Sequence, residues 1–134
     1  MCVELYAVPA EPGRVSADRL SEVSGLVVAK SSRPVTGALH FSRDKGCGCS
    51  LLGDGADWNE PTGDLVPEAL DGMARALSLL HKEAKGFTFQ AIWIGDQAES
   101  ESHVSLKELL RDVRQNRVRN KHVYAIGMSG RGRR

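Results

Sequence analysis

Cys47 and Cys49, one residue apart in "RDKGCGCSLL" (43–52), are side chains whose type and spacing could do chemistry. Thiolates with His40 nearby suit Zn²⁺, although a structural zinc site normally takes four ligands. Arg43 and Lys45 could also stabilise a thiolate and open a redox role. The known zinc pattern is two C-x-x-C knuckles, whereas this chain has a single C-x-C and only Cys2 besides. Cys47, Cys49 and His40 are therefore the metal candidates, and no metal or other cofactor is predicted.

Hairpin register separates these readings. "GALHFS" and "CGCSLL" flank a stretch with turn chemistry. With Asp44-Lys45-Gly46 as a three-residue loop, Phe41 pairs with Cys49, and Leu39, Phe41, Cys47, Cys49 and Leu51 share one apolar face. The cysteines then act as small hydrophobes. With all of 43–46 in the loop, Cys49 faces His40 and a ligand cluster forms. A one-residue shift swaps faces, and the hydrophobic pattern favours the first register.

Other candidates are scattered. Asp96 follows the apolar stretch "FTFQAIWIG" and His103 precedes a helix, so the two could serve as acid and base. The chain has no G-x-S-x-G, no phosphate loop and no H-E-x-x-H. In "GDGADWNEPTGD", Asp54, Asp57, Asn59, Glu60 and Asp64 offer oxygen donors, but their spacing fails the EF-hand pattern. Trp58 in that loop is expected to pin it to the body.

Charge is unevenly placed. The 134 residues have a net charge of +1, which gives no overall pull towards nucleic acid. Residues 105–134 nevertheless carry +7, against −6 for residues 1–104. Lys107, Arg111 and Arg114 fall along one side of a helix, and Arg117 and Arg119 continue the charge. These five are the candidate anion-binding residues, for an anionic ligand or nucleic acid. The same charges solvate the outer face of an amphipathic helix on the plainer reading. The charge asymmetry equally suits a homodimer in which an acidic loop meets a basic end.

The elements that must position these residues follow from periodicity. Residues 2–8 alternate as a strand, and 16–25 suit a short helix with Ser16 as N-cap. Residues 26–30 fit either helix or strand. Leu70, Met73, Ala74, Leu77, Leu80 and Ala84 predict a helix closed by Gly86. "FTFQAIWIG" is apolar on both faces and predicts an interior strand. After a polar loop, Ser105 and Glu108 form a capping box, and 121–127 is a final strand.

This order predicts an α+β fold: a ferredoxin-like βαββαβ unit extended by a C-terminal αβ, with helices packed on a mixed sheet. The last strand is expected parallel to "FTFQAIWIG". A doubly wound α/β sheet is the alternative. Residues 1–128 are expected to form one domain and 129–134 a flexible basic tail. With 41% apolar and 26% charged residues, no signal-peptide pattern and three cysteines, the chain reads as a soluble cytoplasmic protein off the membrane. It is expected to act by binding or self-association rather than catalysis. The alternatives are a thiol or metal protein using Cys47 and Cys49, and a small enzyme around Asp96 and His103.

Overall fold

A computed structural model describes residues 3–42, 67–93, 95–115 and 117–127. Cys47, Cys49, the acidic loop with Trp58, and the basic end 129–134 lie outside the described residues.

The first strand, β1 (Val3–Pro9), leads through a turn into helix α1 (Ala17–Ser24). The Ser16 hydroxyl accepts the Arg19 backbone N–H at 3.1 Å, satisfying a donor that the first helical turn leaves open. Strand β2 (Val27–Ser31) and strand β3 (Ala38–Ser42) follow as an antiparallel pair. The ambiguous segment is thus a strand, with Val28 buried and Val27 and Ala29 exposed. That alternation is what a half-buried strand requires.

Helix α2 (Pro67–Ala84) and strand β4 (Phe87–Trp93) come next. Lys85 supplies the left-handed residue after α2, at φ 61°, ahead of Gly86 at φ 135°. Strand β5 (Ser100–Val104), helix α3 (Leu106–Arg114) and strand β6 (His122–Ile126) complete the described chain. Both halves of the Ser105–Glu108 capping box are present.

The fold is α+β, with the six described strands in the order β2-β3-β1-β4-β6-β5. Among the described strands β5 and β6 pair in parallel, and the other neighbours pair antiparallel. Three expectations are corrected here. The last strand lies beside β4 but antiparallel to it. The reason is β5: the residues expected as a polar loop form an edge strand, and the parallel crossover is made by β5-α3-β6. The C-terminal extension is accordingly βαβ rather than αβ. A doubly wound sheet is excluded, because its strands would be mainly parallel with helices on both faces. Here Leu20, Met73, Leu77, Leu80, Leu109 and Val113, from the three described helices, share one core with Leu5, Phe41, Phe87 and Phe89.

The hairpin expected for β3 is also replaced. Phe41 has Leu5 of β1 on one side and Val28 of β2 on the other, so both of its strand edges are taken. The faces nevertheless divide as hydrophobicity dictates. Leu39 and Phe41 enter the core, while His40 turns to the opposite face beside Tyr6 and Glu4.

α1 and α2 touch closely. A methyl group on Gly72 of α2 would lie 2.2 Å from the Ser24 carbonyl oxygen. Next to it, the Arg75 guanidinium donates to the Val23 carbonyl at 3.0 Å, satisfying an acceptor left open at the end of α1.

Candidate functional site

Strand alternation puts Leu5 and Ala7 of β1 into the core and turns Glu4 and Tyr6 to the far face, away from α1, α2 and α3. The same alternation brings His40 of β3, and Gln90 and Ile92 of β4, to that face. Polar groups there are buried: Glu4 is 7% exposed, Tyr6 6% and Gln90 9%. Ala38, Ile92 and Val8 pack with Tyr6 as a second, small apolar cluster. Burying a carboxylate needs a partner.

His40 is that partner. Its Nε2 contacts Glu4 Oε1, and its ring tilts against Tyr6 with centroids 5.5 Å apart. Tyr6 and His40 are direct cross-strand partners, so Glu4 lies on the diagonal from His40. An ionised carboxylate only accepts, so against an ionised Glu4 it is Nε2 that carries the hydrogen. Burial pushes the Tyr6 phenol above the usual tyrosine range. The negative charge of Glu4 adds to this, and Arg33 opposes it. Tyr6 is therefore a neutral hydroxyl at physiological pH, able to donate a hydrogen bond.

Glu4 and Tyr6 line a cavity of about 390 Å³ together with Gln90, Ile92, Arg33, Pro34, Gly95, Asp96, Gln97 and Ala98. Two loops complete it. Ser31 fixes the start of the first by accepting the Arg33 backbone N–H at 3.0 Å. The second turns at Gly95, whose φ of 92° lies in the region that favours glycine. This second loop is anchored to the turn before β6: Lys121 Nζ lies 3.8 Å from Asp96 Oδ2 and 3.7 Å from Glu99 Oε2. Arg33 has no carboxylate partner among the described residues. The arrangement can hold a small molecule by hydrogen bonds from a phenol, an amide and a guanidinium, over an apolar floor at Ile92.

The residues singled out from sequence fall in several places. Asp96 lines the cavity, while His103 is on β5 rather than a loop, 3.7 Å from Glu101 and half exposed. Asp96 and His103 have separate partners, Lys121 and Glu101, and make no contact with each other among the described residues. His40 is engaged by Glu4. No group of three or more His, Cys, Asp or Glu is placed to hold a metal among the described residues.

Lys107, Arg111 and Arg114 do share one side of α3, lining a shallow groove with Glu108, Leu110 and Gln115. Arg114 lies 3.5 Å from Asp71 and Arg111 3.8 Å from Asp112, so part of the charge is compensated within the protein. Arg117 and Arg119 are exposed beyond the helix. No helix among the described residues is long and apolar enough to cross a membrane.

A second histidine is built in differently. His122 of β6 is 3% exposed, with Ser100 Oγ and Ser102 Oγ of β5 each 2.7 Å from one of its ring nitrogens. These two contacts tie β5 to β6.

Glu4, Tyr6, Arg33 and Gln90 were not distinguished by sequence. The available signal was Glu4 within the apolar strand "VELYAV", on the face opposite Leu5 and Ala7. No protein-family model, curated protein or solved structure matches this chain.

Proposed function

We propose that this protein binds a small polar molecule in the far-face cavity formed by β1, β4 and the two loops around Arg33 and Asp96. The observation that carries this reading is the convergence of a buried carboxylate, phenol and amide on one concavity. Elsewhere on a sheet such groups would be solvated or replaced by apolar residues. The cavity lies at the small end of the roughly 300–1,000 Å³ spanned by ligand pockets. We read β1 to β4 with α1 and α2 as a ferredoxin-like frame extended by β5-α3-β6; the element order and the central place of β1 support this.

The test is a thermal-shift screen of the protein with small polar compounds, repeated on Ala98→Trp. Ala98 is an exposed loop residue on the cavity wall, so an indole there fills the space without entering the core. A bound compound raises stability by RT ln(1 + [L]/Kd), about 2.7 kcal/mol at a hundredfold excess over Kd. The reading expects an upshift in the parent protein that Ala98→Trp abolishes. An upshift that survives Ala98→Trp places the ligand elsewhere and overturns it.

A second reading is anion binding at the α3 groove, favoured by the exposed Lys107, Arg111 and Arg114 on its wall. Charge reversal at Lys107 and Arg111 would abolish it without affecting a ligand in the far-face cavity.

A further inference from the structure

We propose that the far-face cavity takes a small monoanionic carboxylate, with the carboxylate group held by the Arg33 guanidinium and the Tyr6 hydroxyl. This rests on the reading of that cavity as the ligand site. Its chemistry follows from the charges on the wall and what each is already doing.

Three ionisable groups besides Tyr6 line the cavity: Glu4, Asp96 and Arg33. Glu4 is occupied by His40, and Asp96 lies within ion-pair distance of Lys121. Arg33 is the lining charge without an ionic partner among the described residues. A guanidinium presents a planar fork of N–H donors that matches the two oxygens of a carboxylate. Arg33 and Tyr6 line the same cavity, and the guanidinium's charge acts on the phenol against the effect of burial. Tyr6 keeps its proton at physiological pH and supplies a further donor, which an anion needs and a cation does not.

The same wall discriminates against two competitors. A phosphate dianion would bring two charges beside Glu4 and Asp96 with one guanidinium to meet them, and like charges in a partly desolvated site repel strongly. An amine would be drawn to those carboxylates but would meet Arg33 and the Tyr6 hydroxyl hydrogen. A single negative charge balances the unmatched guanidinium. The Gln90 amide and the apolar side chain of Ile92 are then left for the uncharged remainder of the ligand.

The experiment is isothermal titration of the parent protein, Arg33→Ala, Arg33→Lys and Ala98→Trp. The probes are butyrate, benzoate and indole-3-acetate, each beside its primary amide, with benzylamine and phenyl phosphate as the other head groups. At least one carboxylate should bind at least tenfold more tightly than its amide, and more tightly than the amine and the phosphate. Arg33→Ala should weaken the carboxylate by about ten- to a hundredfold, as loss of a hydrogen bond to a charged group does, and leave the amide unchanged. Arg33→Lys keeps the charge but not the fork and should recover only part of the loss.

If amide, amine or phosphate binds as tightly as the carboxylate, and Ala98→Trp abolishes that binding, the carboxylate class is wrong and the cavity remains a ligand site. If no probe binds, or binding is unaltered in Ala98→Trp, the cavity reading falls and the carboxylate proposal with it.

Discussion

Glu4 of β1 and His40 of β3 meet across the diagonal of an antiparallel pair, on the sheet face opposite the three described helices. Each occupies an alternate position of a strand whose other positions fill the core. Removing the imidazole leaves a carboxylate at 7% exposure without this hydrogen bond. His40→Ala should therefore destabilise the protein by about 1–3 kcal/mol. Glu4→Gln should have its own cost, and the double variant should lose less than the sum, because the second change removes the group that the first stranded. Urea unfolding of the four proteins measures this coupling; strict additivity would show that the pair contributes nothing.

Tyr6 gives a pH prediction with a definite sign. Its folded pKa is raised, chiefly by burial and then by Glu4. The native state therefore keeps this proton where the unfolded chain has lost it. The resulting stability is complete below the usual tyrosine range and is lost as pH rises through the folded pKa. Ultraviolet titration should show one tyrosine ionising late, and Tyr6→Phe should remove that late component and part of the alkaline loss of stability. Retention of the component in Tyr6→Phe would assign it to Tyr124.

Much of this architecture was legible in the residues. The S-x-x-E of Ser105 and Glu108 announces a capping box, and the doubly apolar β4 announces an interior strand; both reflect local rules that tertiary context did not override. The "polar loop" failed because β5 is an edge strand whose register with β6 is held by Ser100, Ser102 and His122. Its apolar content is small, so hydrophobic alternation gives no signal. The hairpin from Phe41 failed for another reason. Periodicity says which face Phe41 takes but not which strands flank it, and β1 and β2 claimed both edges. The candidate site was hidden because Glu4, Tyr6, Gln90 and Arg33 come to one cavity only through non-local strand pairing.

Helix packing supplies a third test. Gly72→Ala raises helix propensity, yet its methyl would meet the Ser24 carbonyl at 2.2 Å. Overpacking of this kind typically costs about 1–3 kcal/mol, so the substitution should lower Tm despite the better helix former. An unchanged or higher Tm would mean that α1 and α2 separate freely.

The capping box can be checked at its two ends. Ser105→Ala should lose about 0.5–2 kcal/mol of stability, as for other N-cap hydroxyls. The Ser105 backbone N–H, then its hydroxyl, with Arg111 adding to them, hold the Glu108 carboxyl below the usual carboxylate range. That contribution is present above the ordinary carboxylate value and lost as pH falls through the lowered folded value. Carboxyl NMR should show Glu108 titrating higher in Ser105→Ala; no movement would rule out the hydroxyl as a cause.

The central claim, a carboxylate site between Arg33 and Tyr6, is tested most directly by amide NMR during titration with whichever of butyrate, benzoate and indole-3-acetate binds most tightly. Saturable shifts should gather at Tyr6, Arg33, Gln90, Gly95 and Gln97 and disappear in Ala98→Trp. Shifts gathered instead at Lys107, Arg111 and Arg114 of α3, with the far face silent, would contradict it.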